Sequence, residues 1–201
     1  MLNIGRVLVL IFCQRLLWRI NGKTFFKRSA PLVVDLGFGN GESTIALALA
    51  HPEWNIVGIE VYRSGIGQLF RLLAEKNIPN VRVFCHDAVE VLQMVIPSNS
   101  LQRLQIFFPD PWQKKRHHKR RLVQPEFVAL VADRLQLSGE LALATDWQDY
   151  AEQMANVLTA QTILQSSSVY AERDDLRPLT KFERRGQKNG HPVWDLKYIK
   201  I

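Results

Sequence analysis

The chain is poor in cysteine and lacks a long apolar run. Its 201 residues include two cysteines, Cys13 and Cys85, neither of which has the spacing of a metal site or a disulfide framework. The apolar stretch 7–13 is interrupted by Gln14 and Arg15 well before the roughly 20 residues that a membrane span requires. No small-residue cleavage site of a signal peptide follows it. These absences argue against a metal site and against binding to a membrane. They favour a protein of the reducing cytoplasm.

Acidic residues are also scarce relative to basic ones, at 19 against 26, so the formal net charge is +7. Six of the basic residues fall within 114–121, and this density favours a phosphate-rich partner. A chain of this length with 47% hydrophobic residues can bury one full core. The sequence therefore predicts an atypical N-terminal segment, 1–30, that is helical or partly ordered, followed by one domain, 31–201.

From Pro31 onward the pattern alternates between apolar strands and amphipathic helices. The predicted strands are 32–36, 55–60, 81–85, 104–108 and 140–144, and the predicted helices are 43–50, 64–76, 89–94, 126–135 and 150–158. Strands separated by single helices indicate an α/β fold with a mostly parallel sheet and helices on both faces. Ligands of such sheets bind at the carboxyl ends of the strands.

Each predicted strand ends in, or is followed closely by, a carboxylate. These five residues are Asp35, Glu60, Asp87, Asp110 and Asp146. A single one would more often be a helix cap or a solvated loop acid. Five of them at the same edge of one sheet indicate a functional site.

The turn after the first strand narrows the choice of cofactor. Its glycines, Gly37, Gly39 and Gly41, alternate, and Glu42 stands where a dinucleotide-binding turn would have its third glycine. An acid at that place would repel pyrophosphate. S-adenosylmethionine has no phosphate, and its ribose diol suits Glu60, which lies about 20 residues beyond the turn. A turn that only packs a strand against a helix is the alternative for the glycines alone.

Several ordered motifs resemble those of the bacterial tRNA (guanine-N7-)-methyltransferases. The similar segments are 34–41 (VDLGFGNG), 58–61 (GIEV), 86–88 (HDA), 107–112 (FFPDPW), 116–121 (RHHKRR), 144–147 (ATDW), 180–183 (TKFE) and 193–196 (VWDL). The resemblance implies a Rossmann-like class I methyltransferase fold that ends in an antiparallel strand over 193–199. It also implies methyl transfer from S-adenosylmethionine to the variable-loop guanine, guanine-46, of tRNA.

The resemblance also implies roles for individual residues. The cofactor-binding residues would be Asp35, Gly37, Gly39, Glu60, Asp87 and Asp110. The residues that meet the target nucleotide would be Lys114, Asp146, Thr180, Lys181, Phe182 and Glu183. The RNA backbone would be held by Arg116, His117, His118, Lys119, Arg120 and Arg121. The chain departs from the family pattern at Asp35, usually Glu, at Gln113, usually His, and throughout the segment before Pro31.

The chemistry is consistent with what the sequence lacks. Guanine N7 is an unprotonated lone-pair nucleophile, so its methylation requires neither a Ser-His-Asp arrangement nor a metal. Orientation of N7 toward the methyl group can supply several kcal/mol. Asp110 is the predicted catalytic residue because its carboxylate could accept hydrogen bonds from guanine N1–H and the exocyclic amine. Asp146 is the other candidate, and Trp112 and Trp147 could either stack on a base or pack at the end of the sheet.

Two other functions fit parts of the sequence. A non-catalytic RNA-binding protein on a degenerate methyltransferase fold would explain the atypical N-terminal segment and Asp35. An NAD(P)-dependent oxidoreductase on a related sheet is disfavoured by Glu42 and by the lack of a Tyr-x-x-x-Lys pair. Calorimetry with S-adenosylmethionine separates the first alternative from the enzyme. The sequence leaves open whether the protein is a monomer or a homodimer.

Overall fold

The structure is a computed structural model that describes residues 25–179, 183 and 192–201, together with the backbone of two N-terminal strands. The strands of the described chain, β1 to β9 in order, are Leu2–Ile4, Val7–Ile11, Leu32–Leu36, Asn55–Ile59, Val81–Cys85, Leu101–Phe107, Leu135–Thr145, Leu164–Gln165 and Trp194–Lys200. The α-helices, α1 to α5, are Glu42–Ala50, Arg63–Glu75, Ala88–Met94, Pro125–Arg134 and Gln148–Thr159, and a 3-10 helix covers Lys115–Arg120. No helix in these described ranges is long and apolar enough to cross a membrane.

All of these strands form one sheet in the order β1-β2-β5-β4-β3-β6-β7-β9-β8. The strands from β2 through β7 in this order run parallel, whereas β9 pairs antiparallel with β7. The predicted α/β class, the parallel sheet and the antiparallel C-terminal strand are therefore confirmed. The order reverses direction at β3, so the space above the carboxyl ends of β3 and β6 is where a ligand of such a sheet binds.

The N-terminal segment, predicted to be helical or partly ordered, contains two strands. Residues Leu2–Ile4 and Val7–Ile11 are strands, and β2 pairs in parallel with β5 through Val9 to Ile11. A short apolar run does not distinguish a buried helix from a strand by its periodicity. The unpaired edge of β5 decides in favour of the strand, because pairing there satisfies backbone groups that would otherwise remain exposed.

The apolar core lies in two layers, one on each face of the sheet. On one face α1 and α2 pack on the centre of the sheet through residues such as Ile45 and Leu69. On the other face α3, α4 and α5 cover β6 and β7, with Leu104 and Leu143 at most 1% exposed. Burying an aliphatic side chain of this size contributes about 1.5–3 kcal/mol, so these layers hold the strand ends in place.

Strands β6 and β7 begin earlier than predicted, at Leu101 and Leu135, and carry polar residues on the face shared with Asp35. Asp35 is in register with Gln105, and Arg103 is in register with Glu140. Arg103 is 3% exposed and is paired with both Glu140 and Asp174. Buried charges are tolerated when they are paired, which explains how these polar positions can continue a strand.

Candidate active site

The glycine turn between β3 and α1 is shaped by left-handed backbone. Gly37 and Gly39 have φ values of 71° and 56°, a region that other residues adopt only at a cost. The N–H of Gly37 donates to the carbonyl of Ile59 at 2.8 Å, which ties the turn to the end of β4. A Cβ added at Gly37 or Gly39 would have no protein atom within 4 Å, so the turn borders open space.

Gly65 supports this turn, although it was not among the predicted site residues. It lies in the first turn of α2, and a Cβ at this position would stand 2.0 Å from the carbonyl oxygen of Gly39. Only glycine allows so close an approach of helix and turn. The available signal in the sequence was a glycine near the start of a predicted helix, where glycine is unfavourable unless packing requires it.

Glu60, at the carboxyl end of β4, joins the turn to the start of the next loop. Its Oε2 accepts a hydrogen bond from the N–H of Gly39 at 2.8 Å. Its Oε1 accepts from the N–H groups of Val61 and Tyr62 at 2.7 and 3.0 Å. The carboxylate is therefore held beside the glycine turn.

Asp35 lies beneath the turn and is 1% exposed. Its Oδ2 accepts hydrogen bonds from the hydroxyls of Ser43 and Thr44 at 2.7 and 2.6 Å. These bonds fasten the first turn of α1 to the end of β3. The structure thus gives Asp35 a supporting position under the turn, which differs from the expected position in the wall of the cofactor pocket, because the carboxylate does not reach the open space above.

We expect Asp35→Asn to raise the thermal midpoint at pH 7 to 8. Burial raises the pKa of Asp35, and the hydrogen bonds from Thr44 and Ser43 lower it only in part. Unfolding then releases a proton, so wild-type stability falls as the pH rises from about 4 through the raised folded pKa. Asparagine keeps an oxygen that accepts both hydroxyls but carries no charge. Thermal unfolding of both proteins from pH 4 to pH 8 measures the difference between their thermal midpoints. This difference should vanish toward pH 4. A difference that stays constant with pH would contradict the prediction.

Asp87 and Asp110 are both exposed at the same edge of the sheet. Asp87 caps α3, since its Oδ1 accepts from the N–H of Glu90 at 3.0 Å. Asp110 lies two residues after Phe108, whose φ of 54° is rare for a bulky residue. The N–H of Phe108 donates a hydrogen bond to the carbonyl of Ala144 at 2.8 Å. Asp110 therefore follows a turn with a rare backbone conformation that is tied to the end of β7.

Asp146 stands at the carboxyl end of β7 in an open cleft of about 490 Å³. The cleft lies between the start of α5 and the start of β9, and its lining includes Trp147 and Trp194. Trp147 packs against the core, whereas Trp112 is contacted by Arg120, whose guanidinium carbon is 5.0 Å from the ring centroid. Both Trp112 and Trp147 therefore have packing partners. Asp110 and Asp146 follow β6 and β7, which are neighbouring strands.

The cationic run forms the 3-10 helix Lys115–Arg120, here called the basic helix, flanked by Lys114 and Arg121. The side chains of Lys114, Lys115, Arg116, Lys119 and Arg120 are exposed, and those of His117 and His118 are half-buried. The exposed cations form a basic surface directly after the Asp110 turn. Such a surface suits an RNA backbone.

Arg121 does not belong to this surface, which corrects the predicted contact with RNA. It is 2% exposed and donates to the carbonyl of Pro111 and to Gln153, each at 2.7 Å. It also pairs with Asp149 and lies over the ring of Tyr150. The side chain fixes the basic helix to α5, because all of its donors are directed into the protein.

We expect Arg116→Ala combined with Arg120→Ala to weaken RNA binding in a salt-dependent manner. Each lost phosphate contact lowers the slope of log affinity against log salt by somewhat less than one unit, so the pair should flatten it by roughly one to two units. Titration of tRNA at several salt concentrations measures the slope. Arg71→Ala combined with Lys76→Ala removes two exposed cations from the end of α2 and the residue that follows it, as a matched control. An equal change in both variants would contradict the assignment.

The predicted segment 180–183 is described only at its last residue. Thr180, Lys181 and Phe182 lie outside the described residues. Glu183 is 1% exposed and its Oε2 accepts from Arg177 Nη1 at 2.5 Å. A direct contact of this carboxylate with a nucleotide, as predicted, conflicts with that burial. Sequence reasoning missed Arg177 because its partner Asp195 lies 18 residues further along the chain, beyond the range of any local pattern.

The described ranges contain no group of three or more His, Cys, Asp or Glu residues arranged to bind a metal ion.

Comparison with known proteins agrees with this geometry. Residues 29–196 match a family described as "Putative methyltransferase". The tRNA (guanine-N(7)-)-methyltransferase of Legionella pneumophila (strain Paris) is 52% identical over 181 residues, which cover 89% of this chain and 76% of that protein. The enzyme of the same name from Alcanivorax borkumensis is 48% identical over 184 residues, covering 90% and 77% of the two chains.

Solved structures at lower identity share the fold. The 16S rRNA methyltransferase KamB aligns with a TM-score of 0.65 at 16% identity and covers 89% of this chain and 91% of its own. An rRNA methylase from Streptococcus thermophilus aligns with a TM-score of 0.59 at 16% identity, covering 86% and 87%. Because relatives near 50% identity extend over most of its length, the chain belongs to the tRNA (guanine-N(7)-)-methyltransferase family.

Proposed function

We propose that this protein transfers a methyl group from S-adenosylmethionine to N7 of the variable-loop guanine, guanine-46, of tRNA. The observation that carries the proposal is the single sheet edge at which the glycine turn, Glu60, Asp110 and Asp146 meet, with the basic helix directly beyond. The names of the relatives support the same reaction. We also propose a cytoplasmic location, because the proposed substrate is tRNA.

The described residues fit S-adenosylmethionine. Open space above Gly37 and Gly39 leaves room for a ligand close to the backbone. Glu60 stands beside that space, and a carboxylate with two acceptor oxygens suits a ribose diol. Asp87 and Asp110 add exposed negative charge at the same edge, which suits a cationic ligand without phosphate. When bound, S-adenosylmethionine supplies an electrophilic methyl group on its sulfonium.

The protein's own residues then orient and hold the guanine. In the transfer, the N7 lone pair forms the new bond to the methyl carbon as the carbon–sulfur bond breaks, so no proton has to move and no base is required. Asp110 is assigned to hold the guanine by accepting from N1–H and the exocyclic amine, and Asp146 borders the cleft on the neighbouring strand. Holding the reactants in line lowers the barrier by avoiding entropy loss at the moment of reaction.

Incubation with tRNA and labelled methyl donor, followed by nucleoside analysis, tests the proposal. We expect 7-methylguanosine in an unmodified transcript and none in a matched transcript in which guanine-46 is replaced by adenine. Label at another nucleoside would contradict the proposed position. Binding of tRNA without heat from S-adenosylmethionine and without label would instead support a non-catalytic RNA-binding protein.

A further inference from the structure

Arg177 joins Asp195 on β9 to Glu183, which lies six residues after Arg177 in the chain. It is 1% exposed, and its Nε and Nη2 donate to the two carboxylate oxygens of Asp195 on β9, both at 2.9 Å. Its Nη1 donates to Glu183. Burial disfavours the charged guanidinium, but the bonds to Asp195 and Glu183 outweigh it and hold the pKa of Arg177 above its ordinary value. The side chain is thus a charged anchor inside the protein.

The face of the same guanidinium lies against the turn that carries Asp110. The guanidinium carbon of Arg177 is 5.5 Å from the ring centroid of Phe108, the residue with the left-handed backbone. The backbone of Phe108 is held from the other side by the carbonyl of Ala144, and Ala144 is in register with Asp195. A rare backbone conformation persists only where the surroundings hold it, and Arg177 supplies one side of that support.

The segment that leads into Arg177 is itself attached to β9. The N–H of Ala171 donates to the carbonyl of Asp195 at 2.8 Å, and Arg173 donates to the carbonyl of Arg177 at 2.7 Å. Asp174 is paired with Arg103 on β6, so the segment is fixed at both ends of its path across the sheet. Arg177 therefore has little freedom to move relative to the strands.

We propose that Arg177 is a positioning residue for methyl transfer. It holds the Phe108–Asp110 turn, on the cofactor side, and Glu183, the last residue of the predicted substrate-binding segment 180–183, at one point of β9. The inference rests on the proposed function, since it assumes that these two elements act on the same guanine. Arg177 touches neither reactant and acts through Phe108 and Glu183.

The geometry requires arginine at this position. A planar guanidinium can donate to two carboxylates in its plane while its face remains free to lie against an aromatic ring. A lysine ammonium keeps the charge but cannot make the paired contact with Asp195 and cover Phe108 at the same time. Buried ion pairs often stabilise a fold no more than apolar residues would. The more distinctive contribution of this cluster is therefore that it fixes the relative positions of the residues it joins.

The test is Arg177→Lys, with single-turnover methylation of tRNA at saturating S-adenosylmethionine as the readout. We expect the rate to fall about 10- to 100-fold, because misplacement of reacting groups by an ångström can cost that much. The dissociation constants for tRNA and S-adenosylmethionine should change by less than about threefold, since the basic helix and Glu60 remain intact. Rates are compared well below the thermal midpoints of both proteins.

Arg134→Lys is the matched control. Arg134 is also mostly buried and donates to the carbonyl of Leu92 at 2.7 Å and to Ser98 at 2.8 Å, but it lies at the opposite end of the sheet. This variant should lose stability and keep the wild-type rate. A rate for Arg177→Lys within twofold of wild type, or an equal fall in both variants, would overturn the inference.

Two further variants keep the test decisive if Arg177→Lys does not fold. Asp195→Asn and Glu183→Gln each leave Arg177 in place and remove the charge of one partner. Both should lower the single-turnover rate more than either binding affinity, and full rates in both would overturn the inference. A wild-type protein that forms no 7-methylguanosine would overturn the proposed function as well, whereas an active wild type with unaffected variants removes only the role of Arg177.

Discussion

Asp110→Asn is expected to lower the single-turnover rate of tRNA methylation by about 100-fold, with little change in tRNA affinity. The substitution keeps the shape of the side chain but replaces one acceptor oxygen by a donor, which opposes the N–H groups of guanine. The proposed contacts with RNA lie mainly on the exposed cations of the basic helix, so binding should survive. Rapid quenching with enzyme in excess over tRNA separates the rate from the affinity.

Asp133→Asn is the control for loss of a carboxylate charge. Asp133 is exposed at the end of α4, where it pairs with Arg134, far from the carboxyl ends of the strands. Its variant should methylate tRNA at the wild-type rate. An Asp110→Asn protein that retains the wild-type rate at saturating tRNA and cofactor would assign the guanine to Asp146 instead.

Glu60→Ala is expected to weaken S-adenosylmethionine binding by about 10- to 100-fold while tRNA binding stays nearly intact. Two effects add. The variant loses the proposed acceptor for the ribose hydroxyls, and it also releases the N–H of Gly39, which Glu60 holds at 2.8 Å. Calorimetric titration with S-adenosylmethionine measures the loss, and unchanged affinity would refute the assignment.

Gly65→Ala distinguishes these two effects. Its Cβ would stand 2.0 Å from the carbonyl oxygen of Gly39, so the turn must shift although the carboxylate of Glu60 is unchanged. If the shape of the turn dominates cofactor affinity, Gly65→Ala should weaken binding as much as Glu60→Ala does. If the ribose contact dominates, the glycine variant should be clearly the milder of the two. Gly67→Ala on the same helix has open space and is the control.

The basic helix shows how one charged run divides between a surface and a core. Arg120 is exposed and lies over Trp112, while its neighbour Arg121 is buried against Tyr150 and Asp149. A 3-10 helix has three residues per turn, so Arg121 lies on the same side of the basic helix as His118. This side faces α5. RNA-binding experiments should therefore vary Arg116 and Arg120 and leave Arg121 in place.

From Pro31 onward, the sequence by itself determined the α/β architecture and the edge of the sheet where the candidate site lies. Single helices between apolar strands require crossovers, and crossovers make neighbouring strands parallel, so the residues after the strands must meet at one edge. Glu60 could be assigned on this ground, since its position follows from the spacing after the glycine turn. Asp110 and Asp146 follow from the same rule.

Only the tertiary structure decided which side chains face the open site and which support it from below. Asp35 is a carboxylate near the end of its strand, as Glu60 is, but it is in register with Gly58, two residues before Glu60, and α1 offers it two hydroxyls. The contacts of Gly65 with Gly39 and of Arg177 with Asp195 join residues 26 and 18 positions apart. Local periodicity reports the face of an element on which a residue lies, whereas such contacts depend on how the elements pack against one another.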